Sequence, residues 1–183
     1  MKKEAKIAIL VVVCILICLC VGIKMKFSNT IKIPAIGDVR YDELYIYEGD
    51  EYGEDLEVGK YLKVESKLST EEKIEIIVEE LQERFSDIEI EIKGYRNVVN
   101  KKVLILDLKD RERPVGSYLN AGSTGSRINL GIIVNSVLQN EKNIDNWIDG
   151  LKIMVNGEEN IEGEHITLAE IFYKSADGTI DLQ

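Results

Sequence analysis

Residue types and spacing come nearest to a reaction in the stretch Ala121-Gly122-Ser123-Thr124-Gly125. It matches A-x-S-x-G, a variant of the sharp strand-to-helix elbow that exposes a serine hydroxyl for acyl transfer. Such an elbow follows its strand at once, whereas some twelve residues separate Leu108 from Ala121. The one histidine, His165, is followed by Asp177 rather than preceded by an acid that would complete a triad. The plainer expectation is that Ser123 caps a helix and that the glycines permit the turn before it. The same loop could cradle an anion with Ser123, Ser126 and Arg127, because backbone N–H groups converge at a helix N-terminus. It lacks the Gly-Lys-Ser/Thr ending of a P-loop, and an ion pair with one of the many acidic groups is the simpler role for Arg127.

The remaining chemical candidates are weaker. A single histidine excludes a histidine-based metal cluster, and Glu162-Gly163-Glu164-His165 reads as a solvated turn. Glu48, Asp50, Glu51, Glu54, Asp55 and Glu57 offer oxygens to calcium, but Tyr52 and Gly59 stand where an EF-hand loop needs oxygen-bearing side chains. Asp107 ends an apolar run with no acid–base partner in view, so a bond to neighbouring backbone is its expected use. No catalytic residue, metal or cofactor is expected from these patterns.

The elements that would carry these groups follow from periodicity. Leu44-Tyr45-Ile46-Tyr47 and Tyr61 to Glu65 read as two strands of a hairpin joined through the acidic, turn-rich stretch Glu48 to Gly59. Ser69 with Glu72 forms a capping box, and Ile74, Ile77, Val78, Leu81 and Phe85 share one face of a helix over about residues 70 to 85. Ile88, Ile90 and Ile92 alternate with charged residues as a half-buried strand does, and Gly94 to Lys102 reads as a polar connection. Val103 to Leu108 is nearly continuously apolar, the signature of a central strand. A glycine-containing loop then leads to a second helix with Leu130, Ile133, Val134, Val137 and Leu138 on one face. Leu151, Ile153 and Val155 mark another strand, and the apolar cluster Ile166 to Tyr173 an edge element. Two amphipathic helices most economically cover one face of a mixed sheet, an α+β two-layer sandwich.

The whole chain bounds the partners. It has 183 residues, 45% hydrophobic and 31% charged, which suits one folded domain plus an appendage. Ile7 to Ile23 is uncharged and flanked by lysines; as a helix it would span about 26 Å, just enough to cross a bilayer. Val21-Gly22-Ile23 makes a poor cleavage site, and Val13, Ile17 and Leu19 before Cys14, Cys18 and Cys20 make poor lipidation sites, so an uncleaved anchor is expected ahead of a cleaved signal or a lipoprotein signal. Lys2, Lys3 and Lys6 favour a cytoplasmic N-terminus. The expected layout is a cytoplasmic tail at 1–6, an anchor at 7–23, a tether at 24–40, a domain at 41–174 and a C-terminal tail at 175–183. All three cysteines fall in the anchor, so the domain is expected to fold without a disulfide. Residues 24 to 183 hold 20 basic and 32 acidic side chains, a formal charge of −12, which disfavours nucleic acid as a partner.

Taken in order, Val103-Leu104-Ile105-Leu106-Asp107-Leu108, Gly125-Ser126, Ile132 to Leu138 and Leu151-Lys152-Ile153-Met154-Val155-Asn156-Gly157 resemble the GerMN domain family, the sporulation and spore germination domain of membrane-tethered bacterial proteins. The resemblance covers about residues 68 to 157, with Tyr41 to Glu65 as leading strands. Ser136-Val137-Leu138 stands where the family often has a threonine-leucine pair, and Ser86-Asp87 where it often has a proline. The resemblance implies a non-enzymatic domain outside the cytoplasmic membrane, similar to ring-building modules, with self-assembly or other cell-envelope proteins as partners. The competing class is a small-ligand-binding or hydrolytic envelope domain that uses residues 122–127.

Overall fold

The structure, a computed structural model, describes residues 39–139, 142, 144, 146–161, 165–174 and 180–182. The chain divides into two units, Met1–Val39 and Arg40–Gln183, and of the first only Val39 is described. The expected anchor at 7–23 therefore lies outside the described residues, as does the tether before Val39. No helix among the described residues is long and apolar enough to cross a membrane.

In the second unit, β1 (Tyr41–Gly49) and β2 (Leu56–Glu65) form an antiparallel two-stranded sheet. Helix α1 (Thr70–Arg84) follows, started by the capping box that its sequence specifies. Ser69 Oγ accepts the Glu72 N–H at 3.2 Å, and the Glu72 carboxylate accepts the Ser69 N–H at 2.8 Å, so two otherwise orphaned donors are satisfied. Ile74, Ile77, Val78 and Leu81 are buried along its expected face, with Phe85 as the C-cap residue.

Strands β3 (Ile88–Val98) and β4 (Lys101–Asp110) form a second hairpin. β3 continues through Val98 and β4 starts at Lys101, so the expected connection at Gly94 to Lys102 shrinks to a two-residue turn. A bulge shifts the register between Ile92 and Gly94, and Gly94 takes φ +123°, so the alternation changes phase at that point. Tyr95 thereby returns to the face of Leu104, and a strictly alternating pattern misses it. The turn proper is Val99-Asn100, with φ of 48° and 64°, the two left-handed residues of a type I′ hairpin.

Short helix α2 (Gly116–Leu119) and long helix α3 (Gly122–Leu138) then carry the chain to β5 (Gly150–Val155), which pairs in parallel with β4. Parallel neighbours need such a crossover of a dozen or more residues. β6 (Phe172–Lys174) and β7 (Ile180–Leu182) complete a sheet of order β3-β4-β5-β6-β7. The apolar cluster before Tyr173 thus ends in β6, and β7, within the expected tail, takes the edge. The class is α+β, with the first hairpin as a sheet of its own.

The sheet's front face presents Ile88, Ile90, Leu104, Leu106, Leu108, Leu151 and Ile153 to the main core. Helix α3 touches β5 and β6 on one side and β1 and β2 on the other. This explains why Ile128, Leu130, Ile132, Ile133, Val134, Val137 and Leu138 are all buried, a spread too wide for a one-sided helix. The hairpin sits so close that a Cβ added to Gly131 would meet Leu56 Cδ1 at 2.6 Å.

Two glutamines end the exposed strand edges. Gln139 accepts the Tyr45 N–H at 2.8 Å and donates to the Tyr45 carbonyl at 2.7 Å, as an antiparallel neighbour would. Ser136 Oγ accepts the Tyr47 N–H at 2.9 Å. Gln82 accepts the Ile90 N–H at 2.8 Å and donates to the Ile88 carbonyl at 2.7 Å, the pattern of a parallel neighbour. Gln139 and Ser136 are fully buried.

Two measurements follow. Gln139→Ala leaves a Tyr45 N–H and carbonyl unpaired and is expected to lower stability by about 2 kcal/mol in urea unfolding. Val99→Asn relieves a β-branched residue held at positive φ, and the same assay is expected to show a gain of about 1 kcal/mol.

Candidate functional site

The residues singled out by sequence are held by different elements. Ser123 and Arg127 lie exposed in the first turns of α3, whereas Ser126 points inward. The expected Ser123 cap does not form: Ala121 occupies the N-cap position, and no side chain caps the helix. Ser126 Oγ is buried without a hydrogen-bond partner among the described residues. The Arg127 guanidinium donates to the Glu54 carbonyl and lies 3.8 Å from Asp55 Oδ1, so it binds the β1–β2 turn. That turn uses its own acids internally. Asp50 Oδ1 accepts the Glu54 N–H at 2.7 Å, and these backbone donors hold the Asp50 carboxyl below its ordinary value. Among the described residues no three His, Cys, Asp or Glu side chains are grouped to hold a metal ion.

Asp107 is buried on the opposite face of the sheet, where Oδ1 accepts the Gly157 N–H at 3.0 Å. It ties the end of β4 to the turn after β5, the backbone role expected of it. His165 is exposed in the connection between β5 and β6. No two of Ser123, Arg127, Asp107 and His165 are hydrogen-bonded or ion-paired among the described residues. Neither the groove beside α1 nor the hollow behind the sheet is lined by any of them.

The larger hollow is an open groove of about 1100 Å³ beside the start of α1. Three lysines enter it, each beside its own acid. Lys73 Nζ lies 2.8 Å from Asp42 Oδ2, Lys102 Nζ 2.5 Å from Glu71, and Lys142 Nζ 3.6 Å from Glu43. Lys142 also stands 3.9 Å over the Tyr45 ring and Lys102 4.7 Å over the Tyr95 ring. Lys73 holds the Asp42 carboxyl below its ordinary value, with help from Ser66. Burial, with Glu71 and Glu75 nearby, pushes the Tyr95 phenol up to about 12. A charged ligand here would have to displace a carboxylate already in place, so the groove reads as a neutralised seam between hairpin, helix and sheet.

The smaller hollow, about 200 Å³, lies on the back of the sheet. Val103 and Ile105 of β4 form its floor, and Lys152 of β5, paired beside Ile105, reaches into its lining. Lys152 is only 6% exposed, and its Nζ donates to the Leu168 carbonyl at 3.0 Å and the Ala169 carbonyl at 2.6 Å. Burial lowers the Lys152 pKa, while Glu159 opposes the shift and Arg96 adds to it. Arg96 and Glu159 pair at 3.0 Å on the rim, each half exposed. Sequence reading misses this site because Lys152 alternates with Leu151 and Ile153 and so looks solvent-facing. The available signal was Val103 and Ile105, whose phase obliges something to cover the back of the sheet.

No family model matches the chain, and no curated protein matches it. Among solved structures it is similar to a candidate lipoprotein from Clostridium perfringens, with 15% identity and a TM-score of 0.40 over 73% of this chain and 88% of that one.

The Asp42–Lys73 pair has a pH signature. Because the folded carboxyl is lowered, its contribution is complete above the ordinary value of 3.8 and is lost as pH falls through the folded value. Asp42→Asn leaves nearly buried Lys73 without its counter-charge and is expected to cost about 1–2 kcal/mol at neutral pH, discounted because Asp42 is partly exposed. In urea titrations the deficit against the unsubstituted protein should shrink below pH 3.8.

Proposed function

We propose that this chain is a membrane-anchored, extracytoplasmic interaction or assembly domain of a bacterial cell envelope, non-enzymatic and linked to sporulation or germination. The observation that carries this reading is the order of the chain: an uncharged, lysine-flanked run of bilayer length precedes a folded unit that begins at Arg40. The GerMN-like pattern over residues 68 to 157 supports the same reading. So does the use of each candidate catalytic group: Arg127 holds the hairpin turn, Asp107 holds the β5 turn, and His165 stands apart.

In this proposal an N-terminal transmembrane helix precedes a two-layer sandwich in which α1 and α3 lie on one face of the mixed sheet. The partners are the membrane and either second copies or other envelope proteins. Charge works against tight association in solution, since residues 24 to 183 carry −12. Tethering offsets that repulsion, because confinement raises effective concentration without adding a contact.

Mass spectrometry of protein extracted from membranes is expected to find the N-terminal run retained; a mature N-terminus after residue 20 removes the anchor. Cross-linking is expected to capture neighbours of the full-length protein in membranes and few for a fragment from Tyr41 at matched amounts. A tethered protein that cross-links to nothing ends the assembly reading.

A further inference from the structure

The hollow behind the sheet holds a buried cation with no counter-charge beside it among the described residues. Lysine carries three donors, and the Leu168 and Ala169 carbonyls accept two of them. Among the described residues no carboxylate lies within ion-pair distance of Lys152 Nζ; Glu159 and Glu170 act on it from farther off, and Glu159 is bound to Arg96. Buried charges are ordinarily paired, because an ion taken from water is stabilised poorly by dipoles alone. Among the described residues Asp107 and Lys174 are likewise held by backbone groups without a counter-charge, and of the three only Lys152 lines the groove or the hollow. The three lysines of the groove on the other side each have an acid within 4 Å.

The walls narrow the class of guest. Val98, Val103, Ile105, Ala169 and Ile171 give the hollow an aliphatic side, and Arg96, Glu159 and Asn160 complete its lining beside Lys152. The space of about 200 Å³ is several times the roughly 30 Å³ that one water occupies in the liquid. A phosphate would fill such a space with oxygens and find one free cation, since Arg96 is already neutralised by Glu159. A small acid with a hydrocarbon tail satisfies both the lysine and the walls.

We propose that this pocket binds a short aliphatic carboxylate: one carboxylate oxygen accepts the third Lys152 N–H, and the chain lies on Val103, Ile105 and Ile171. Binding joins β4 and β5 to the segment around Leu168 and Ala169. A bound acid adds to the hold that Lys152 already has on that segment through the two carbonyls.

Calorimetric titration of the full-length protein in detergent micelles with sodium butyrate, butyramide and inorganic phosphate tests this. Saturable binding of butyrate is expected, with butyramide and phosphate at least about tenfold weaker. Lys152→Met is expected to abolish it. Ala169→Leu, on the exposed rim, is expected to block the pocket without disturbing the fold, and decides the matter should Lys152→Met fail to fold. Butyrate that does not bind, butyramide or phosphate that binds as well, or butyrate binding unchanged in Ala169→Leu each overturns the proposal.

Discussion

The β1–β2 hairpin is held to the rest of the unit by the last turn of α3, and the other arrangements depend on that junction. A two-stranded sheet is marginal by itself in water, so its strands need a surface to bury against and its free edge needs partners. Gln139 and Ser136 supply three bonds to the edge of β1 from a fully buried position. The helix end is in turn completed from other directions. Trp147 Nε1 donates to the Val137 carbonyl at 2.9 Å, and Lys174 Nζ donates to the Gln139 carbonyl at 3.0 Å. The carbonyls that a helix terminus leaves without partners are thereby satisfied by an indole and an ammonium group. Burial lowers the Lys174 pKa, and its position at the negative end of the helix suits a cation.

Once the hairpin is seated, α3 has no solvent face along most of its length, and its sequence becomes intelligible. Gly131 leaves room for Leu56, Ser136 serves the strand edge, and the aliphatic residues fill the space on every side. The groove beside α1 is a product of the same packing. It forms where hairpin, helix and sheet meet, and three lysine–carboxylate pairs neutralise its walls. With each charge matched, that junction stays wet and polar without a large local field.

The sheet solves a different problem on each side. Its front follows the alternation of β3 and β5 and makes the principal core. Its back is covered by the segment after β5, tied down at Gly157 by Asp107 and at Leu168 and Ala169 by Lys152. Polar groups on this face thus act as fasteners for an irregular segment, whose backbone N–H and carbonyl groups need partners when they are buried. Asp107 performs this service as an acceptor and Lys152 as a donor, and of the two only Lys152 borders an open space.

The capping box at Ser69 and Glu72, the buried stripe of α1, the alternation from Ile88 and the central run of β4 were legible directly. Each is a pattern among residues two to four apart, where backbone geometry dictates which side chains share a face. The bulge at Lys93, the onset of α3 at Gly122 and the left-handed Val99 were not legible, because local propensity argues against a β-branched residue at positive φ and gives no sign of a phase change. Of the candidate site, Ser123, Ser126 and Arg127 were visible as residue types in a loop. That Arg127 holds the hairpin turn while Lys152 lines a pocket was decided by contacts across long stretches of chain. Gln139 reaches Tyr45 over 94 residues, Arg127 reaches Glu54 over 73, and Lys152 reaches Leu168 over 16. The sequence by itself therefore determined most of the elements and the buried faces of α1 and the central strands, through short-range periodicity. The tertiary structure alone decided which polar groups end up buried, and beside what, because those pairings form only when distant segments pack.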